Sequence, residues 1–319
     1  MTEAVSQCRL DLAGYVVLTE AATGPYMVTP VLAALAGANR VFAMTRASRY
    51  GTVDEVARET FGLAGRLGVA DRIRVITEKS PQIVGQADII TNSGHLRPLD
   101  ADTVRCMKPS AVVPLMYEAW ELRPGEVALA ACRVRGIRVA GTNERHPNVD
   151  VLSYLGVMAV KLLADAGVAV YRSRVLILCD NPFATHLESG LRSAGAQVHS
   201  ATDLTSVGDG EALDAILVAL KPGNRPAIGP PEAWRISQCW PGTVLAQLWG
   251  DIDRDAAAAH GLACWPAISP GHGHMGILPS AVGPEPVIRL QAGGLKVGEV
   301  LLRNATDPDA AGWEYVDAI

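Results

Sequence analysis

Short runs in which nearly every residue is apolar alternate along this chain with longer segments of helical periodicity. The runs at 15–19 (YVVLT), 40–45 (RVFAMT), 72–77 (RIRVIT), 87–92 (ADIITN), 111–116 (AVVPLM) and 137–142 (IRVAGT) read as buried strands. Between them lie segments such as MVTPVLAALAGA and TVDEVARETFGLAGRLGV, with Gly near their ends. Apolar strands separated by helices predict a parallel sheet covered on both faces. One long apolar helix is expected over 148–167, with Asn148 or Asp150 near its start and Gly167 after its end. The alternation then restarts at 174–179, 196–201, 214–220, 242–248 and 261–267. The segment 285–304 reads as a helix despite Gly293-Gly294, and the polar end, 307–319, is expected to be loosely held. The pattern predicts an N-terminal α/β domain (1–147), a linking helix (148–169) and a second α/β domain (170–319).

Composition narrows the class. A length of 319 residues suits two domains, and with 49% hydrophobic but only 5% aromatic residues the cores must be aliphatic. The net charge of -5 argues against a nucleic-acid or anionic-membrane partner. No apolar stretch approaches the ~18 residues of a membrane span. The start, MTEAVSQCRLDLAG, lacks the basic and apolar regions of a secretory signal. Six cysteines without Cys-x-x-Cys spacing suggest reduced thiols and a cytoplasmic location.

The stretch VLILCDNPFATHLESGLRSAGAQ (175–197) opens like the strand, turn and helix of a dinucleotide-binding unit. Such units place Gly-x-Gly-x-x-Gly at the turn, for tightness and for close approach to a pyrophosphate. Here the turn holds Cys179, Asp180, Asn181, Pro182, Phe183 and Ala184. Ala184 is a permitted substitute, Asn181 tolerates a left-handed backbone, and Pro182 can open the helix. Asp180 places a negative charge near the phosphate position. Asp203 stands at the spacing of the acid that accepts ribose hydroxyls. A strand-helix-strand without ligand fits the same residues. The first half has a comparable turn, LTEAATGPYMVTP, with Gly24 and Glu20. Beyond its second strand, Arg46, Ser48 and Arg49 suit either a 2′-phosphate or a solvated loop.

The layout resembles the D-2-hydroxyacid dehydrogenase superfamily, which includes formate and phosphoglycerate dehydrogenases. ALAACRVRGIRVAGTN is similar to that family's helix-strand pattern, PGTVLAQLWGDIDRDAAAAHGLACWPA to its Pro-Gly strand and following helix, and ISPGHGHMG to its histidine loop. The resemblance implies two Rossmann- or flavodoxin-like parallel-sheet domains joined by a long inter-domain helix. It also implies NAD or NADP as cofactor and a substrate in the cleft. The chain departs from the family at the glycine motif. It has no arginine at Trp249-Gly250 and no clear acid partner for the histidine, although Asp251 and Asp253 are near.

Polar residues gather at the predicted strand ends: Asn92, Ser93, Gly94 and His95; Tyr117 and Glu118; Asn143, Glu144, Arg145 and His146; His272 and His274. Arg145 or Arg97 suits a substrate carboxylate. Glu118 suits the orientation of a histidine. His95, His272 or His274 suits the proton that accompanies hydride transfer, because imidazole titrates near neutral pH. His274 is favoured, since HMG stands closer to the family's His-x-x-Gly. Asn92, Ser93, Gly94, Tyr117, Asn143, Glu144 and His146 are expected on the substrate. The same residues also suit helix capping and a plain glycine turn. No metal is expected, because the two loop histidines lack further ligands. A nucleophilic Cys179 lacks a base. The expected function is an NAD(P)-dependent oxidoreductase of a small hydroxy or keto acid in a biosynthetic setting. The alternatives are a lyase or transferase, or a non-catalytic binding subunit, that kept the fold without the dinucleotide. A homodimer is expected from the apolar helix and the resemblance.

Overall fold

A computed structural model describes residues 1–208, 212–303 and 311–319. The chain divides into two compact units, Met1–Val151 with Pro284–Ile319, and Leu152–Gly283. Every run read as a strand forms one. The first unit contains β1 (Val16–Glu20), β2 (Arg40–Met44), β3 (Ile73–Ile76), β4 (Ile89–Ile90), β5 (Val112–Pro114) and β6 (Arg138–Thr142). Helix α1 (Val28–Leu35) follows β1, and α2 (Val53–Arg66) follows β2. Thr52 opens α2 with a reciprocal cap to Glu55, the pairing that Thr-x-x-Glu predicts. The six strands are parallel in the order β3-β2-β1-β4-β5-β6. That is the order of dinucleotide-binding sheets, and it reverses between β1 and β4.

The second unit begins with α3 (Ser153–Asp165), then β7 (Arg174–Leu178), α4 (Ala184–Ser193), β8 (Gln197–Ala201), β9 (Ala215–Ala219), β10 (Val244–Trp249) and β11 (Ala263–Trp265). Its sheet is parallel, in the order β11-β10-β9-β7-β8, and reverses between β7 and β9. All five residues of β9 are buried, as a central strand covered on both faces requires. Helix α3 is shorter than the sequence suggests. It starts after Leu152, not at Asn148 or Asp150, because Asn148 is used elsewhere: its amide donates to the Gln7 carbonyl (2.8 Å) and to the Tyr315 hydroxyl (2.7 Å). Within this unit α3 lies against α4 with Gly156 facing Gly190. A Cβ on Gly190 would stand 2.2 Å from the Gly156 Cα.

The chain then returns to the first unit through α5 (Glu285–Arg303) and β12 (Val316–Ala318), which runs antiparallel beside β6. The sequence pattern set this segment with the second domain; its contacts put it in the first. The reason is its apolar face: Val287, Ala292, Leu295 and Val297 are buried in the core that α1 shares. Gly294 and Gly298 bring the helix close to the sheet, against Met116 and Ile89. The buried Lys296 ammonium donates to the Arg9 carbonyl and to Glu299, whose carboxylate takes the Asp11 amide. Of the polar end, 307–310 lie outside the described residues. The remainder is not loose: Tyr315 is buried and stacks on His146 at 3.8 Å. No helix among the described residues is long and apolar enough to cross a membrane.

Candidate functional site

In open parallel sheets, ligands bind beyond the carboxyl ends of the strands. At that edge of the second unit, β10 ends in Trp249 and the chain turns at Gly250, with φ +87°. Asp251 follows. Its Oδ2 meets His272 Nδ1 at 2.5 Å, and its Oδ1 accepts the Gly273 amide at 3.0 Å. The Trp249 indole donates to the Gly273 carbonyl (3.2 Å), and the Gly276 amide to the Leu248 carbonyl (2.9 Å). Gly276 has no room for a side chain, since a Cβ would lie 1.8 Å from the Gln247 carbonyl oxygen. The glycines of the histidine loop therefore serve to lay it along the end of β10, which seats His272 on Asp251. With Nδ1 engaged by the carboxylate, Nε2 is the nitrogen left for proton transfer. His272 and His274 are both exposed, and the carboxylate at this edge goes to His272. A cavity of about 190 Å³ opens beside the pair, lined by Asn224, Arg225, Asp251, Ser269, Gly271 and His272.

The β7–α4 turn stands at the reversal point of the same sheet. Asn181 holds it together, donating to the Ala219 carbonyl (2.7 Å) and accepting the Phe183 amide (3.1 Å). The Asp180 carboxylate accepts the Lys221 amide at 2.9 Å. Phe183 is buried beside Trp249. Burial pushes the Cys179 thiol up to about 11, so it is a protonated core residue and not a nucleophile. Asp203 stands two residues beyond β8 and caps its own following turn through Oδ1, which takes the Ser206 amide. Its Oδ2 has only a 3.5 Å contact from Thr202. The Asp203 carboxylate is thus an acceptor of the kind that suits the ribose hydroxyls of a dinucleotide. At this turn Pro182 has no amide proton, the Phe183 amide is taken by Asn181, and Asp180 stands beside them, so few amides are left to face an anion.

In the first unit the structure places the predicted residues at the carboxyl edge but engages most of them internally. Asn92 donates to the Tyr117 hydroxyl (2.5 Å), which donates to Glu126; Arg97 and Arg123 close on the same carboxylate. Burial works to raise Glu126, and Arg97, Tyr117 and Arg123 outweigh it and hold the carboxyl low. Ser93 ends a buried hydroxyl chain through Thr91 to Thr19. Gly94 lies under the Glu20 carboxylate, which accepts the His95 amide at 3.3 Å and which desolvation pushes up. Glu118, expected to orient a histidine, instead contacts Arg145 (2.7 Å) and the Trp120 indole (2.6 Å). Asn143 binds the Glu314 carbonyl, and His146 is occupied by Tyr315. Glu144 is buried beside these groups. Arg46 and Ser48 are exposed, and Arg49 lies over the Tyr50 ring at 4.8 Å. Sequence reading missed Arg225, Asn224 and Ser269, which no motif marks, and left Asp251 unassigned although it follows the strand that carries the resemblance.

No family model matches the chain, and no curated protein matches it in sequence. Solved structures do share its architecture. A dipicolinate synthase polypeptide from Bacillus halodurans is 11% identical, over 92% of this chain and 99% of that one, with a TM-score of 0.54. Its counterpart in the dipicolinate synthase of Bacillus subtilis is 11% identical, over 93% and 100%, also at 0.54. The pyruvate reductase of Chlamydomonas reinhardtii is 12% identical, over 91% and 97%, at 0.52. At such identities the likeness is one of fold: the chain has the two-unit, parallel-sheet α/β fold that the sequence resemblance implied.

Proposed function

We propose that this protein is an oxidoreductase that moves hydride between NAD or NADP and a small 2-hydroxy or 2-oxo acid. The observation that carries the reading is the His272–Asp251 pair. It supplies, at the carboxyl edge of a dinucleotide-type sheet, the acid partner that the sequence pattern lacked. When bound, the nicotinamide ring supplies or accepts the hydride. His272 Nε2 gives a proton to the carbonyl oxygen in reduction and takes it from the hydroxyl in oxidation. Asp251 keeps the proton of the neutral ring on Nδ1 when Nε2 is bare, and stabilises the charged imidazolium. Asp203 accepts the ribose hydroxyls, and Asp180 keeps dinucleotide affinity modest. We place the protein in the cytoplasm as a homodimer, on its six cysteines, which form no disulfide among the described residues, and on the prevalence of twofold assemblies.

The test is nicotinamide absorbance with NADH and NADPH against a panel of 2-oxo acids. His272→Ala is expected to lower turnover by about 10²–10⁴-fold, and His274→Ala to stay near wild type. Equal rates for both variants would remove the pair from the mechanism. Absence of turnover with every acid and both cofactors would leave a non-redox enzyme as the better reading.

A further inference from the structure

We infer that the second unit carries a further ligand site, a groove at the amino ends of its strands that takes a flat apolar body bearing one acid group, such as an aromatic carboxylate or sulfonate. The groove follows from the way the sheet is wound. Crossovers between parallel strands are right-handed. The step from β7 to β8 carries α4 on one face. The step from β8 back across β7 to β9 runs the other way, so its connection lies on the opposite face. Further along, that face is covered by the helix Pro230–Cys239, whose Ala233 and Ile236 share a cluster with Leu176, Ile216 and Leu245. A crossover of this kind is usually a helix too. Here the described residues of the connection, 202–208 and 212–214, hold a single 3₁₀ turn, Leu204–Ser206. The outer part of the face is left open.

The opening is a groove of about 580 Å³ with a defined floor and wall. On the floor, Arg174 is in register with Gln197 and Leu176 with His199, so all four side chains point to this face. Val207 and Leu213 of the connection form the wall, with Trp240 at the end of the covering helix. Arg235 fixes that wall. Its guanidinium donates to the Leu204 and Val207 carbonyls (3.0 and 2.6 Å) and lies over the Trp240 ring. The connection is therefore held in place without a helix of its own.

Charge selects the occupant. Arg174, Arg192 and His199 line the groove, and no carboxylate is among the described lining residues, in a chain whose net charge is -5. The nearby Asp214 carboxylate is turned to the Arg174 amide at 2.7 Å. Arg192 shares its charge with Glu188 and donates to the Val198 carbonyl at 2.7 Å, which hinders a further strand from pairing with β8. A small molecule fits better: its acid meets Arg174 and His199, and its apolar body covers Leu176, Val207 and Leu213. The groove is open on one side, so it sets no limit on the length of that body. Its place separates it from the edge described above. Arg174 and Gln197 open their strands, and Leu213 and Trp240 precede β9 and β10, whereas the His272–Asp251 pair stands at the carboxyl ends.

The probe is 1-anilinonaphthalene-8-sulfonate, an aromatic sulfonate that fluoresces in apolar surroundings, titrated into the full chain. Saturable binding is expected. Arg174→Gln combined with His199→Gln is expected to weaken it at least about tenfold. Leu213→Asp, which sets a carboxylate in the wall, is expected to abolish it, and Lys161→Gln on α3 to leave it unchanged. N-phenyl-1-naphthylamine, the same rings without the sulfonate, is expected to bind at least about tenfold more weakly. In the unaltered chain, bound probe is expected to slow amide hydrogen exchange at 197–199 and 204–208, a readout that does not depend on any variant folding. The inference is overturned if binding does not saturate, if the double variant or the neutral analogue binds equally well, or if exchange slows elsewhere and not at these residues. Displacement of the probe by NADH would also overturn it, because the proposed dinucleotide site is at the opposite ends of the strands.

Discussion

Glu144 is a buried carboxyl, 5% exposed, among like charges. Desolvation raises it well above the ordinary 4.5. Glu121 and Glu118 on the loop after β5 and Asp317 on β12 add to the rise, and only Arg145 opposes it. The folded state therefore keeps this proton after the unfolded chain has released it. The contribution to stability is full below the ordinary carboxyl value and is lost as pH rises toward the folded one. Glu144→Gln removes the charge at every pH. Its thermal midpoint is expected to exceed that of wild type at pH ~8, by about 2–4 °C for each kcal/mol recovered, and to converge with it near pH ~4. A constant offset across that range would show that ionisation is not the cause. Nothing in the sequence near Asn143-Glu144-Arg145-His146 marked this burial. The apolar pattern showed where β6 ends, but the neighbouring carboxyls come from the loop after β5 and from the far C-terminal strand.

At the scale of elements, two glycine contacts have different consequences. On α4, Gly190 meets the backbone of Gly156 on α3, and backbone cannot yield without moving the helices apart. On α5, a Cβ at Gly294 would meet the Met116 thioether at 2.5 Å, the far end of a flexible side chain, and the Thr142 hydroxyl at 3.4 Å. Alanine gains about 1 kcal/mol of helix propensity at either position. Gly190→Ala is expected to lower stability by about 1–3 kcal/mol, toward the upper end, and Gly294→Ala to stay within about 1 kcal/mol of wild type. Denaturant midpoints measure both; reversed ranks would show that α3 and α4 can separate at little cost. The strands and these helices were legible because apolar runs and periodicity are local properties. The role of the glycines was not, because each answers to a residue distant in sequence. The same holds for Arg225, which lines the cavity beside His272 by way of the loop after β9 and not through any spacing.

The whole molecule shows how far a linear pattern carries topology. The apolar runs predicted two parallel sheets, and both are present, with each order reversing beside its first strand. The boundaries were less legible, since α5 and β12 are separated from β6 by an entire unit. A fragment of residues 152–283 contains the complete second sheet and is expected to unfold cooperatively on heating. A fragment of residues 1–151 lacks α5 and β12 and is expected not to do so. Circular dichroism melts compare them, and a sharp transition in 1–151 would show that the returning segment is dispensable.

The return of α5 and β12 to the first sheet also fixes an order of events during synthesis. Domains form as they emerge from the ribosome. The unit whose residues come first has to wait for the last ones, while the second unit, translated in between, has all its strands by Gly283. Throughout that interval β6 has no neighbour on its outer side, and the α1 face of the sheet lacks the helix that covers it. A nascent chain that has emerged from the ribosome only as far as about residue 283 thus offers chaperones an exposed aliphatic surface in its older half and a finished domain in its younger half.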